Sequence, residues 1–185
     1  ALGRVTSYRR DADLRVTQLI DPLGRSATFT YDLSGNVTVV TNPAGFVTKF
    51  AYGDGGCPSC AGGQLSALTG PKGNTWTFGY DQYGRLTNAA NPLDQRKAYE
   101  YDKMSRVIEA KDPAGNITTN TYDALNRLTK RDIQTPSGAH AATTYTYDAV
   151  GNMLSASNGG SAVAFAYDAL NRPVETKQTF AGKAY

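Results

Sequence analysis

The sequence YDLSGNVTVVTNPAGFVTKFAY, residues 31–52, is the unit from which the chain is built. It contains two turn patterns of one kind, Asp32-Leu33-Ser34-Gly35 and Asn42-Pro43-Ala44-Gly45. An Asp or Asn side chain at the first position accepts hydrogen bonds from backbone N–H groups further along, and Gly supplies the left-handed residue of a loop that closes in a bulge. The segments between the turns are rich in Val, Thr and Phe, which favour strands. The unit is therefore predicted to be two strands and two turns.

The unit recurs along the whole sequence. With degenerate starts at Arg10-Asp11 and Tyr52-Gly53 included, four of the seven steps between copies are 21 residues. A fixed period of this length is typical of a repeat architecture. We assign a structural role to the recurring Tyr-Asp pairs and to several of the Gly and Arg residues that follow them: Tyr31, Asp32, Gly35, Tyr80, Asp81, Gly84, Arg85, Tyr101, Asp102, Tyr122, Asp123, Arg127, Tyr147, Asp148, Gly151, Tyr167 and Asp168.

The predicted fold class is all-β. Consecutive antiparallel hairpins, with about fifteen strands, should form a long curled sheet or a segment of a spiral β-shell. Residues 1–185 are predicted to be a single repeat array with a period of about 21 residues. Insertions interrupt the period near residues 53–63 and 133–142. The second insertion surrounds Thr135-Pro136-Ser137-Gly138, and we expect it to lengthen that turn.

Charge and hydropathy exclude several classes of partner. The net charge of +3 is small and the charges alternate in sign, so we expect no nucleic-acid partner. No apolar run approaches the length of a membrane span, and direct membrane insertion is not expected. The single histidine, His140, has no orienting partner in the pattern, which argues against a hydrolase triad. No catalytic residue, metal ligand or cofactor-binding residue is predicted.

The recurring side chains have a structural and a functional interpretation. The recurring Asp residues are expected to cap turns, and the recurring Arg residues to pair with them near the turns. We expect Tyr101, Tyr122 and Tyr147 to be largely buried on one face, packed on neighbouring Leu or Val. The alternative is that the tyrosines form an exposed stripe that stacks on sugars.

Cys57-Pro58-Ser59-Cys60 is the sharpest local motif. The spacing suits a short disulfide, a redox dithiol or half of a zinc site. Zinc needs two further ligands, and redox chemistry needs a helix N-terminus, for which the glycine-rich surroundings give no signal. We expect a structural disulfide between Cys57 and Cys60; free thiols and an intermolecular metal site remain the alternatives.

The repeat resembles the YD repeat of the Rhs family. The resemblance rests on Y-D-x-x-G-[RN]-[LV]-T followed by [DN]-P-x-G and [FY]-x-Y, and it covers essentially all 185 residues. The family includes bacterial polymorphic toxins, the B and C components of insecticidal Tc toxins and the extracellular barrel of teneurins. The resemblance implies a hollow β-shell of YD hairpins, which in the toxins holds a C-terminal toxic domain.

What the resemblance implies for function is a non-catalytic shell segment of a secreted bacterial protein, one that encapsulates or presents a C-terminal toxin or effector. Its partner would be the remainder of its own longer chain. Unpaired strand edges also predict self-association. The alternative function is a carbohydrate-binding or adhesive module at the cell surface, with a glycan as partner. Either function implies a secreted or cell-surface location.

Overall fold

The computed structural model describes residues 4–53, 63–180 and 183–184, and no helix occurs among them. Contacts divide the chain into two units, Ala1–Arg96 and Lys97–Tyr185. Each unit is a meander in which a strand pairs antiparallel with the next strand in the sequence. The single repeat array predicted for residues 1–185 stays a prediction.

The described residues of the first unit contain eight strands, joined alternately by two kinds of turn. First turns begin at the Asp that follows the Tyr of a repeat, and second turns begin about ten residues later. The strands are β1 (Ser7–Arg10), β2 (Val16–Ile20), β3 (Ser26–Tyr31), β4 (Val37–Thr41), β5 (Val47–Gly53), β6 (Gln64–Thr69), β7 (Thr75–Tyr80) and β8 (Leu86–Ala90).

The second unit has the same pattern, and its first strand begins at the boundary residue Arg96. The strands are β9 (Arg96–Tyr101), β10 (Val107–Lys111), β11 (Ile117–Tyr122), β12 (Leu128–Gln134), β13 (His140–Tyr147), β14 (Met153–Asn158), β15 (Ser161–Tyr167), β16 (Pro173–Phe180) and β17 (Lys183–Ala184). The predicted all-β fold of antiparallel hairpins is confirmed. The structure has seventeen strands because the incomplete first repeat and the degenerate last repeat also form strands.

The turns share one backbone conformation, except for the two-residue loop at Gly159 and Gly160. In the turn at Asp123, the N–H of Asp123 donates to the carbonyl of Arg127 (2.9 Å), and the N–H of Asn126 donates to the carbonyl of Asp123 (3.1 Å). The residue three positions after the first has a positive φ, which is where Gly recurs. Ser105 and Asp94 adopt the same conformation without being glycine, at φ 62° and 57°.

A bulge accompanies the first turns. The pairing register shifts between Thr121 and Tyr122, where β11 meets β12, and between Thr146 and Tyr147, where β13 meets β14. The bulge sets the ring of the repeat tyrosine relative to the turn that follows it. Tyr101 and Tyr122 both end their strands, as their equivalent positions in the repeat predict.

The insertion near residues 133–142 lengthens the strands and not the turn, which corrects our prediction. The turn keeps its usual size, with the N–H of Thr135 donating to the carbonyl of Ala139 at 2.9 Å. The additional residues lie in β12 and β13, which have seven and eight residues. Since side chains alternate with a period of two, a pair of residues added to each strand keeps every later side chain on its original face.

The two faces differ in burial along strands that end in a repeat tyrosine. In β13, Tyr145 and Tyr147 are half-buried on one face, whereas Thr144 and Thr146 are exposed on the other. We call the half-buried side the aromatic face. Ala90 is the one buried residue in the described part of the chain. The tyrosines are therefore less buried than predicted, because neighbouring strands shield the rings only from the side.

Candidate functional site

The turn aspartates use both carboxylate oxygens. In the turn at Asp123, Oδ1 accepts the N–H groups of Leu125 and Arg127, each at 2.9 Å. Oδ2 accepts the Nε–H of Arg127 at 2.7 Å. These bonds satisfy N–H groups that the tight turn cannot pair with backbone carbonyls. The carboxylate therefore holds the turn and the arginine in one geometry.

The arginine then reaches the next repeat. The Nη1 of Arg127 donates to the carbonyl of Asp148 at 2.7 Å, and its guanidinium lies over the ring of Tyr147, 4.9 Å from the ring centre. A guanidinium over an aromatic ring is attracted by the electron-rich face. One side chain thus joins two successive first turns.

The tyrosine hydroxyl completes the connection. The hydroxyl of Tyr147 donates to the carbonyl of Leu128, the residue after the arginine, at 2.9 Å. We call this set the inter-repeat clasp: the arginine and the following carbonyl of one repeat, together with the tyrosine and aspartate of the next. The same hydroxyl bond occurs from Tyr31 to Val16, Tyr80 to Leu65, Tyr122 to Val107 and Tyr167 to Met153.

The clasp recurs at two other first turns, those followed by Arg15 and Arg106. The guanidinium of Arg15 lies over Tyr31 at 5.0 Å, and that of Arg106 lies over Tyr122 at 4.7 Å. The Nη1 of Arg106 also donates to the carbonyl of Asp123 at 3.3 Å. In the repeat with Asn152 at the arginine position, the side-chain amide donates to Oδ2 of Asp148 at 2.8 Å and to Oδ1 of Asn171 at 2.9 Å.

Hydrogen bonding keeps the turn carboxylates ionised. The backbone N–H of Arg127, followed by its guanidinium, holds the pKa of Asp123 below its ordinary value, although partial desolvation opposes this. The backbone N–H of Arg106 has the same effect on the pKa of Asp102. Carboxylates of this kind are poor proton donors at neutral pH, so the arrangement favours a structural role over acid–base chemistry.

The structure places the residues singled out in the sequence as follows. The tyrosines of the Tyr-Asp pairs are half-buried on the aromatic face, and the aspartates lie in the turns. Gly35, Gly84 and Gly151 have positive φ, between 76° and 102°. Asp81 and Arg85 form an ion pair at 2.6 Å. Cys57 and Cys60 lie outside the described residues, so their disulfide stays a prediction.

Two features were missed in the sequence. The contact between the arginine of one repeat and the Tyr-Asp pair of the next was not predicted. The sequence pattern that indicates it is an Arg four residues after the turn Asp in one copy, followed by a Tyr-Asp pair in the next copy. The second feature is a surface pocket of about 360 Å³ beside Trp76 and Phe46. Its signal is Gly70, which stands where most copies have Asp or Asn.

No group of three His, Cys, Asp or Glu side chains is placed to hold a metal ion in residues 4–53, 63–180 and 183–184. Within the same ranges there is no helix that is long and apolar enough to cross a membrane.

Comparison with protein families gives two matches. The family model described as RHS Repeat matches residues 10–48, and the model described as Teneurin YD-shell matches residues 72–181. The second match covers more than half of the chain. Neither match includes the first insertion, near residues 53–63.

Two curated proteins are similar in sequence. One is a "Probable deoxyribonuclease RhsB" from Dickeya dadantii (strain 3937), 26% identical over 143 residues, covering 69% of this chain and 10% of that protein. The other is "Double-stranded DNA deaminase toxin A" from Burkholderia cenocepacia (strain H111), 28% identical over 189 residues, covering 93% of this chain and 13% of that protein. The chain thus spans about a tenth of the length of these relatives.

Solved structures with the same fold come from Tc toxins. The crystal structure of TcdB2-TccC3-TEV matches with a TM-score of 0.76 at 15% identity, covering 97% of this chain and 10% of that one. A Tc holotoxin pore from Photorhabdus luminescens matches with a TM-score of 0.54 at 12% identity, covering 98% of this chain and 13% of that one. At such low identity the similarity shows the fold alone.

Proposed function

We propose, since the chain belongs to the Teneurin YD-shell family, that it is a non-catalytic segment of β-shell wall in a longer, secreted or surface-exposed bacterial Rhs-type protein. In this proposal the wall encapsulates or presents a C-terminal toxin or effector supplied by the rest of the chain. The toxin-related names of the two relatives, of which the chain spans about a tenth, support this assignment.

The observation that carries the proposal is the inter-repeat clasp. Arg127, Tyr147 and Asp148 use their polar groups on each other and on neighbouring backbone, and not on a shared substrate position. A side chain that bonds both its own turn and the next one serves the continuity of a wall. The half-burial of the tyrosines and their hydrogen-bonded hydroxyls also make them a poor stripe for stacking on sugars, which weakens the adhesive alternative.

The proposal is tested in the full-length parent protein by limited proteolysis. The expected result is that its C-terminal region resists protease in the intact protein and is cleaved rapidly when expressed alone. Weakening the wall with the double substitution Tyr122→Ala and Tyr147→Ala should expose that region. The exposed Tyr83→Ala is the matched control and should leave the protection intact.

Two outcomes would contradict the proposal. Equal cleavage of the C-terminal region in the intact protein and in isolation would exclude encapsulation. Unchanged protection in the double variant, with the segment itself shown to be unfolded, would exclude this segment from the wall that protects the cargo.

A further inference from the structure

The loop between β14 and β15 contains the single Asn-Gly sequence of the chain, Asn158-Gly159. Asn158 ends β14, Ser161 begins β15, and these two residues pair with each other, so the loop consists of Gly159 and Gly160 alone. Asn158 and both glycines are exposed. Water therefore reaches the side-chain amide of Asn158 and the peptide bond that follows it.

Three donors hold the side-chain carbonyl of Asn158. Its Oδ1 accepts the N–H of Gly160 at 3.1 Å, the N–H of Ser161 at 2.8 Å and the hydroxyl of Ser161 at 3.0 Å. The bond to Gly160, two residues further on, folds the side chain over the intervening peptide bond. Donors at a carbonyl oxygen stabilise the negative charge that develops there when its carbon is attacked. The carbon Cγ of Asn158 is thus made susceptible to a nucleophile.

The backbone nitrogen of Gly159 is the nucleophile that this loop provides. Its N–H makes no hydrogen bond among the residues that the structure describes, and a Cβ built on Gly159 would meet nothing within 4 Å. No side chain shields the nitrogen, and a glycine leaves the peptide unit free to turn toward Cγ. The Nδ2 of Asn158, the group that must leave, also has no hydrogen-bond partner in the described part of the chain.

Two other second turns show why this asparagine is different. Oδ1 of Asn42 and Oδ1 of Asn91 each accept two backbone N–H groups of their turns. Each asparagine is followed by proline, Pro43 or Pro92, whose nitrogen carries no hydrogen and cannot become a nucleophile. Among the described turns that open with Asn, the loop at Asn158 alone combines the held carbonyl with a nitrogen that can react.

We propose that Asn158 is a site of spontaneous modification, at which the nitrogen of Gly159 attacks Cγ and closes a succinimide ring. The N–H proton of Gly159 passes to hydroxide, the electron pair of the carbonyl moves to Oδ1 and returns, and Nδ2 leaves as ammonia with a proton from water. Water then opens the ring at either carbonyl, which gives an aspartate or an isoaspartate. The reaction needs no oxidant or cofactor, and the site is independent of the proposed shell function.

The two products differ in their effect on the hairpin. Aspartate keeps a side-chain oxygen at the opening position, as Asp112 does in its own second turn. Isoaspartate carries the backbone through Cβ and Cγ, so the loop gains a backbone carbon and the oxygen that accepts from Gly160 and Ser161 becomes a main-chain carbonyl. A longer loop disturbs the pairing of Asn158 with Ser161. The modification would therefore loosen the hairpin of β14 and β15 with time.

Peptide mapping of the folded 185-residue chain tests the proposal. After incubation at mildly alkaline pH, mass spectrometry should find conversion of the amide to an acid at Asn158 before any at Asn42 or Asn91, and electron-transfer fragmentation should find isoaspartate. Conversion should be slower in mildly acidic buffer, because the attack requires the nitrogen of Gly159 without its proton. Hydrogen exchange in the hairpin of β14 and β15 should rise as isoaspartate accumulates. Freshly prepared Asn158→Asp should leave that exchange unchanged.

Ser161→Ala separates the effect of the loop structure from that of the Asn-Gly sequence. It removes the hydroxyl donor and no backbone atom, so ammonia release should be about tenfold slower, the effect of one hydrogen bond to the developing oxyanion. In urea, which unfolds the loop, the substitution should have no effect on the rate. Gly159→Ala is the steric control: Gly159 has no positive φ, so the hairpin should stay folded, and the methyl group should slow conversion in buffer and in urea alike.

Each contrary result overturns the proposal. Conversion at Asn42 or Asn91 as fast as at Asn158 would remove the selectivity, and loss of ammonia without any isoaspartate would exclude the succinimide. An unchanged rate in folded Ser161→Ala, or a slower rate that persists in urea, would show that the loop donors play no part. None of these outcomes bears on the proteolysis test of the shell function.

Discussion

The first and second turns are built from the same local bonds but differ in how far their side chains reach. At the second turn, Asp112 accepts the backbone N–H of Asn116 at 2.9 Å and its side-chain amide at 2.8 Å. Both of these bonds lie within one turn. At the first turn, Asp123 binds Arg127 in the same way, but Arg127 continues to Asp148 and Tyr147. The first turns are therefore coupled from repeat to repeat, whereas a second turn is a local structure.

The second turns vary in their opening residue. The second turns include Gly70, Thr135 and a two-residue loop at Gly159 and Gly160. Every first turn in the described residues keeps an Asp at its opening position. A substitution at a second turn disturbs only one hairpin. The second turns can therefore differ from one another, as the pocket beside Gly70 shows.

Acid should have the largest effect, because it reaches every turn that opens with an Asp at once. The pKa of Asp102, Asp123 and Asp168 lies below the ordinary value, through hydrogen bonds from the residue four positions on. A carboxylate with a depressed pKa in the fold contributes stability that is present above the unfolded value, near pH 3.9, and is lost as the pH falls through the folded value. The urea midpoint should be level from pH 7 to about 5 and fall below about pH 4.

The comparison is sharpened by carboxyl NMR titration at the two kinds of turn. Asp112 has a lowered pKa from its contact with Asn116, without an arginine. A urea midpoint that already declines between pH 7 and pH 5 would contradict the prediction. It would show that groups other than these carboxylates control stability in acid.

Tyr122→Ala should be the most destabilising single substitution in the clasp. It removes a half-buried ring, the hydroxyl bond to Val107 at 2.9 Å and the contact with Arg106. A loss of about 2–3 kcal/mol in the free energy of unfolding is expected, somewhat below the range for a fully buried aromatic residue. Urea denaturation measures it. Tyr83→Ala, at a 71% exposed turn position, should stay within about 0.5 kcal/mol; equal losses would contradict the clasp.

Arg127→Lys tests whether the contacts of Arg127 with the next repeat, and not only its positive charge, stabilise the fold. Lysine keeps the positive charge but cannot bond Asp123 and Asp148 together through a planar fork, so a loss of about 1–2 kcal/mol is expected. Arg172 is the matched control, because it pairs with Asp168 and is 71% exposed at its side chain. Arg172→Lys should change the free energy of unfolding by less than about 0.5 kcal/mol. If the two substitutions have equal effects, the link to the next repeat contributes nothing.

Ser105→Gly should produce the smallest effect, and one of opposite sign. Ser105 has a φ of 62° in a first turn where other copies have Gly. Glycine adopts this conformation without steric cost, so the variant should gain about 0.5–1 kcal/mol, measured by the same denaturation. Gly84→Ala is the inverse test at an equivalent position and should lose a similar amount. A destabilised Ser105→Gly would mean that the serine side chain stabilises its turn by more than its backbone conformation costs.

The sequence determined the repeat, the antiparallel hairpins and the family, because these depend on short-range chemistry. An Asp or Asn before a positive-φ residue specifies a turn whatever surrounds it, and strand composition with a fixed period then specifies the order of pairing. The recurring Tyr, Asp and Arg could likewise be found in the sequence.

Only the tertiary structure decided what those residues contact. The insertion at Thr135 lies in the strands and not in the turn. Two residues added to each strand keep every later side chain on its original face. The tyrosines are half-buried since strands shield them only from the side. Arg127 meets Asp148, 21 residues away, because pairing of the intervening strands brings successive first turns together. The pocket at Gly70 likewise needs Phe46 and Trp76, which adjoin only after β5, β6 and β7 have paired.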